Sequence, residues 1–301
     1  ELDPWFLRKN ASVLSIKSIY CKLIQDQAGS RVKSRIESTL RRTALLQATE
    51  SAFVVIAAIA TSLAFLFLLD RLWPSHHRRK HNDAFAWQVN FLGMTYGVII
   101  SFMLFASWTS FSDAISNADG EANAAINLSR LAYTLPSPQR DDVRSLVRRY
   151  VEVMLTEEWP AMARNDLSPT SHEIVRQLWV VLTGTPVASQ AQQIGLNHAF
   201  TELSSMTEHR RIRQEQVLQQ LPGILWAVLL FGSVLTILYA CLFGAENLRL
   251  HAIQVSGLAL LIALSLAAIA DLSRPYQGAA HVEPYGFLRA QETLSANHSM
   301  P

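Results

Sequence analysis

Two cysteines in 301 residues, Cys21 and Cys241, give no material for a disulfide scaffold. Charge is scarce as well, at 17% of the chain against about 25% in an average soluble protein. With 50% apolar residues, the composition excludes a disordered polymer, which would be rich in charge and poor in apolar side chains. The 26 Lys+Arg set against 24 Asp+Glu leave a net +2, without the dense basic footprint of a nucleic-acid binder, so nucleic acid is not an expected partner. No glycine-rich phosphate loop, Ser/His/Asp arrangement or metal-spaced Cys/His set is present, so neither an enzymatic reaction nor a cofactor is expected.

What the chain has instead is long uncharged runs. Residues 51–69 carry no charge and are bracketed by Glu50 and Asp70. No charged residue stands between Asp83 and Asp113, and the apolar heart of that stretch is 91–111. The same holds between Glu215 and Glu246, with its heart at 222–243, and again over 251–270, closed by Asp271. At about 1.5 Å per helical residue, some 20 residues cross the roughly 30 Å hydrocarbon core of a bilayer. The alternative is four buried helices of a soluble core. Such helices usually show a polar face, and these runs show none. Four transmembrane spans follow, and in lipid each must be helical to satisfy its own backbone groups. The fold class is therefore an all-α integral membrane protein. It has two transmembrane hairpins over 51–112 and 216–272, and the lipid bilayer is its first partner.

The stretches between the runs also read as helix. Residues 1–50 form a basic amphipathic extension, with Val13, Ile16, Tyr20 and Leu23 on one stripe and Lys17, Lys22 and Arg31 among the polar positions. Residues 113–215 form a helical extramembrane domain. Ser137 ahead of Pro138 has the sequence of a helix start. Leu196, Phe200, Leu203 and Met206 mark the last helix of that domain, which runs into the charged stretch 208–215. Residues 273–301 are a C-terminal tail. By parity, the N-terminus, the domain and the tail share one side of the membrane. The basic residues Arg71, Arg78, Arg79, Lys80 and Arg249 of the short connections lean those connections towards the cytoplasm.

Several residues are candidates for function. His77 and His81 stand four apart and could share a helix face as metal ligands, but Arg78, Arg79 and Lys80 repel a cation, and a headgroup-facing basic loop is the simpler reading. Glu157 and Glu158 are adjacent, so on a helix they point about 100° apart and share no site by themselves. In the second span, Gly93, Gly97 and Ser101 recur every four residues, a small face suited to close helix packing. Asn90, Thr95, Tyr96, Ser101 and Ser107 add the polarity that a span beside a water-filled path would carry. Asp271 at the end of the fourth span opposes the helix dipole and needs a partner, for which Arg274 is the nearest candidate. Asp83, Asp271 and Arg274 are read together as a clasp at the membrane boundary.

Taken in order, one set of motifs carries a resemblance. It comprises His81-Asn82-Asp83 before the second span, Trp108 and Ala114 near that span's end, and Glu121-Ala122-Asn123. It continues with Tyr150, Glu158-Trp159-Pro160-Ala161-Met162, Leu221-Pro222 at the third span, and the eight residues from Asp271 to Gly278. Across about 51–290 the chain resembles the bacterial bestrophin-like domain proteins, multi-pass membrane proteins distantly similar to bestrophin anion channels. Two departures stand out: Ser273 replaces a second acidic residue, and 1–50 is an extension that the family usually lacks. The resemblance implies a homo-oligomer, a pentamer, in the bacterial inner membrane. Its second span would line a path for small anions and its helical domain would lie in the cytosol, opposite to the lean of the loop charges. It also implies an apolar neck, for which Tyr96, Ile100 and Leu104 are the candidates. The acidic run that clasps calcium in animal bestrophins is absent, so calcium gating is not implied. The competing expectation is a non-conducting membrane scaffold or signalling protein that binds partners through the helical domain.

Overall fold

A computed structural model of the chain describes Thr49 and residues 52–219 and 221–296. The amphipathic helix expected over 1–50 falls almost wholly outside the described residues. Among those residues every regular element is helical, and four helices are long and apolar enough to cross a membrane.

The first, α1, is Ala52–Leu72. A single turn, α2 (Ser75–Arg78), and a tighter turn at Arg79–His81 lead into α3, Asn82–Leu131. At about 1.5 Å per residue, the 50 residues of α3 extend some 75 Å, more than twice the hydrocarbon thickness. One unbroken helix therefore carries both the second span and the first helix of the extramembrane domain, running straight through residues 112 and 113. Trp87 and Trp108 are both exposed and lie 21 residues apart, about 31 Å on a straight helix. That spacing matches the two interfaces of a bilayer, where indole rings settle.

The domain continues with α4 (Gln139–Val153), a widened π turn (Met154–Glu158) and α5 (Trp159–Met162). Pro160 explains the widening: its ring would meet the carbonyl four residues back, at Thr156, and a wider turn relieves that clash. Next come α6 (Thr170–Thr183) and α7 (Gln190–Leu218), the latter started by Ser189, whose hydroxyl accepts the Gln192 N–H at 3.2 Å. The start expected at Ser137 differs: α4 begins after Pro138 without a side-chain cap, and Ser137 Oγ lies 3.5 Å from Asp141.

The second hairpin is α8 (Gly223–Leu242) and α9 (Leu248–Leu272). Asn247 makes its sharp turn possible by accepting the N–H groups of Arg249 and Leu250. The tail folds back as α10 (Tyr285–Ala296), which packs on α3 and α4.

Two small cores hold the spans together. Leu66 of α1 packs with Cys241 and Val255, and Met103 of α3 packs with Leu229 and Ile269. In the domain, α3 lies along α7 and α4 along α6, burying Leu128, Val147, Leu178, Leu203 and Met206 completely. The outer faces of the spans stay apolar and exposed, as at Phe53, Val98, Phe231 and Ile253, which is what a lipid solvent requires.

Candidate functional site

Within the membrane, α3 has two unlike faces. Tyr96, Met103, Ser107 and Phe111 are buried on one side, where Met103 meets Leu229 of α8 and Ile269 of α9. Tyr96 donates its hydroxyl to the carbonyl of Leu229 at 2.7 Å, satisfying in lipid a polar group that would otherwise be costly. Its ring lies against Gly232, where an added Cβ would come within 2.6 Å of it. Ile100 and Leu104 are half-buried in the same cluster, beside Leu225, Trp226 and Leu266. The three residues expected at a neck thus sit on the packed side of the helix within this chain.

The opposite face is free. Met94, Val98, Phe102 and Phe105 are exposed, and Gly93 and Gly97 have nothing within 4 Å of where a Cβ would stand. Ser101, also exposed, donates to the Gly97 carbonyl at 2.8 Å. Among the described residues, the small residues expected to pack helices together touch no other helix. The close approach is made by Gly232 instead. Past the membrane, the free face continues through Thr109, Ser110 and Asp113, which line an open hollow of about 500 Å³ against α7.

The boundary residues are arranged differently from the expected clasp. Asp83 is exposed, and its neighbour Asn82 makes the connection. The Asn82 amide donates to the Gly244 carbonyl at 3.0 Å and accepts the Gly244 N–H at 2.8 Å, tying the start of α3 to the α8–α9 turn. Arg78, expected to face headgroups, is fully buried; it pairs with Asp70 at 2.7 Å and donates to the Cys241 carbonyl at 2.6 Å. Its guanidinium thereby ties the end of α1 to the end of α8.

At the other boundary, Asp271 takes its partners from the backbone rather than from Arg274. The N–H groups of Ala279 and Ala280 donate to its carboxylate at 2.8 and 2.7 Å. Gly278, with φ at +97°, bends the chain so that these amides return to the helix end, and two donors there offset the unfavourable dipole. Arg274 is exposed.

The strongest charge interactions lie inside the domain. Arg213 of α7, Glu121 of α3 and Glu158 of the π turn are all completely buried. Arg213 donates to Glu121 through Nε at 2.7 Å and Nη2 at 3.1 Å, and to Glu158 through Nη1 at 3.3 Å. Tyr150 donates a short hydrogen bond to Glu121. Glu158 also accepts from Ser168 N–H and the Ser171 hydroxyl, at 3.2 and 3.1 Å. Arg210 donates to the Ser171 hydroxyl at 3.0 Å, at the edge of the network. Burial pushes the Tyr150 hydroxyl well above its ordinary range, and the neighbouring Glu121 charge adds to that. For Arg213 burial opposes the charge, but the Glu121 carboxylate outweighs it and holds the guanidinium above its usual value. Glu157 points to the exposed side, with its carboxylate on the Ser168 hydroxyl, so the two adjacent acids separate as their helical angle requires. The network joins α3, α4, α6 and α7 at one point. It is chemistry suited to holding elements together.

His76 and His77 lie against one another with tilted rings, centroids 4.0 Å apart, and His81 lies beside Trp73 and Phe85. No cluster of three or more metal-ligating side chains forms among the described residues.

The comparisons with known proteins agree with this architecture. A family model described as the Bestrophin-like domain matches residues 56–287. A point mutant of a bacterial bestrophin homologue from Klebsiella pneumoniae superposes with a TM-score of 0.62 at 10% identity, over 82% of this chain and 99% of the other. The same organism's homologue solved by zinc phasing gives 0.59 at 12% identity over 83% and 99%. A second point mutant of that homologue gives 0.60 at 11% identity over 83% and 99%. No curated protein matches the sequence. At such identities the structural likeness establishes a shared fold, and the family model, which spans most of the sequence, establishes descent: the chain belongs to the Bestrophin-like family.

Proposed function

We propose that this protein is a homo-oligomeric ion channel of the bacterial inner membrane, a pentamer that passes small anions along the free face of α3. The observation that carries this reading is the division of α3. One face is fixed to α8 and α9 through Tyr96 and Met103. The other carries bare backbone at Gly93 and Gly97 and a hydroxyl at Ser101 among exposed apolar side chains, and among the described residues no helix packs against the two glycines. Lipid alone would favour an unbroken apolar surface, whereas a helix lining an aqueous path mixes small, hydroxyl and apolar positions. On this reading the constriction is formed by Met94, Val98 and Phe105, while Tyr96, Ile100 and Leu104 seat the helix behind it. Gly93, Gly97 and Ser101 let neighbouring copies of α3 approach closely around the axis. The buried Arg213–Glu121–Glu158 network holds the domain half of the same helix, so the path and the domain move as one piece.

Recording from the purified oligomer in planar bilayers tests the proposal. The expected result is single-channel current whose reversal potential follows a chloride gradient. A confirmed oligomer that stays electrically silent contradicts it and favours the scaffold.

A further inference from the structure

Between α1, α8 and α9 the spans leave an open slot of about 450 Å³. Its walls are largely apolar, with Ala58 from α1, Trp226 and Leu230 from α8, and the alanines Ala259 and Ala263 beside Leu266 from α9. The single hydroxyl among them, Ser233, donates back to the Leu230 carbonyl at 2.7 Å and offers the slot no free donor. Along α9 the slot runs from Ala259 to Ala270, a rise of about 16 Å at 1.5 Å per residue. That is roughly half of the 30 Å hydrocarbon core, the depth of one leaflet.

The domain-side end of the slot is polar, lined by Asp271, Arg274 and Gly278. The two charged groups there are not equivalent. Asp271 is engaged by the Ala279 and Ala280 amides. The Arg274 guanidinium is exposed and has neither a hydrogen-bond nor an ion-pair partner among the described residues. A free guanidinium at the mouth of an apolar slot one leaflet deep matches the two halves of a phospholipid.

We propose that this slot binds an anionic phospholipid, with one acyl chain laid between α1, α8 and α9 and the phosphate held by Arg274. The planar guanidinium can meet two phosphate oxygens at once, which a zwitterionic headgroup shields with its own cation. The alanines along α9, from Ala259 to Ala270, keep room for a methylene chain that larger side chains would fill. No residue of α3 lines the slot, so it exists whether or not the protein conducts.

Native mass spectrometry of the full chain in detergent, incubated with equal amounts of phosphatidylglycerol and phosphatidylcholine, tests the site. The wild type is expected to retain phosphatidylglycerol about fivefold over phosphatidylcholine, the order of effect of one cation beside an anionic headgroup. Arg274→Gln, a change at an exposed position, brings the two lipids to parity. Ala263→Phe fills the slot and removes retention of both. Ile253→Phe, elsewhere on α9, keeps the wild-type pattern. An unchanged preference in Arg274→Gln overturns the proposal, and so does lipid still retained by a folded Ala263→Phe. A wild type without preference also overturns it, including the case in which a second copy or residues 1–50 occupy the slot. If Ala263→Phe does not fold, the Arg274→Gln comparison decides alone.

Discussion

Glu121 and Arg213 stand 92 positions apart in the sequence and meet through two hydrogen bonds, at 2.7 and 3.1 Å, with both side chains cut off from water. Their meeting fixes α3 to α7 just beyond the membrane. An ion pair in such a place is strong only while both members are present, because either alone is an uncompensated buried charge.

Removal of one member is therefore expected to be severe. Arg213→Met leaves Glu121 and Glu158 facing each other without their shared cation, and the loss should be about 3–5 kcal/mol. Combining it with Glu121→Gln should cost clearly less than the sum of the two single changes. Thermal unfolding of the detergent-solubilised protein measures both. Simple additivity would show that the two residues do not act as a pair.

Alkaline pH should loosen the domain through Tyr150. Its hydroxyl is raised in the folded state, whereas in the unfolded chain it ionises near pH 10. Below that pH the stabilisation is fully present, and it is lost as pH rises from about 10 towards the folded value, because only the unfolded chain releases the proton there. Tyr276, raised by burial in the same way, contributes with the same sign. Tyr150→Phe should flatten the fall in unfolding temperature above pH 10. An unchanged slope would exclude Tyr150 as its source.

Within the membrane-spanning part of the protomer, close helix contact is made at Gly232, not at Gly93 or Gly97 of α3. Gly232→Ala places a methyl group against the Tyr96 ring and should cost about 1–3 kcal/mol through overpacking. Gly257→Ala on α9 meets nothing within 4 Å and should be neutral or slightly stabilising. The difference between the two unfolding temperatures checks the contact.

At the opposite boundary, Asn82 and Asp83 should separate cleanly. Asn82→Ala loses both bonds to Gly244 and should destabilise the protein by about 1–3 kcal/mol, whereas exposed Asp83→Ala should stay within about 0.5 kcal/mol. Equal effects in chemical denaturation would contradict the assignment.

The spans were legible because the absence of charge over some 20 residues is a property of the sequence itself. Which way α3 faces was not. The second span has no charged face and apolar residues on both sides, so periodicity gives little contrast between the packed face of Tyr96 and the free face of Val98. Arg213 was hidden inside the charged stretch 208–215, which reads as a solvated surface. One signal could have found it. The buried positions of α7 include Leu196, Ala199, Leu203, Met206, Arg210, Arg213 and Val217, and the two arginines continue the apolar stripe at its own spacing. A charge that falls in register with a core stripe is a buried charge with a partner elsewhere, but the sequence gives no sign that the partner is Glu121. Glu158 stood out only as a neighbour of Glu157, and the π turn that carries it inward leaves no pattern beyond Pro160.

The orientation of α3 about its own axis is the point on which the functional reading turns, and cysteine accessibility during single-channel recording measures it. With Cys21 and Cys241 replaced by serine, Val98→Cys on the free face should lose current when a charged methanethiosulfonate reagent is added, and Ile100→Cys on the packed face should be unaffected. Block at Ile100→Cys with none at Val98→Cys would place the path on the other side of the helix and contradict the account.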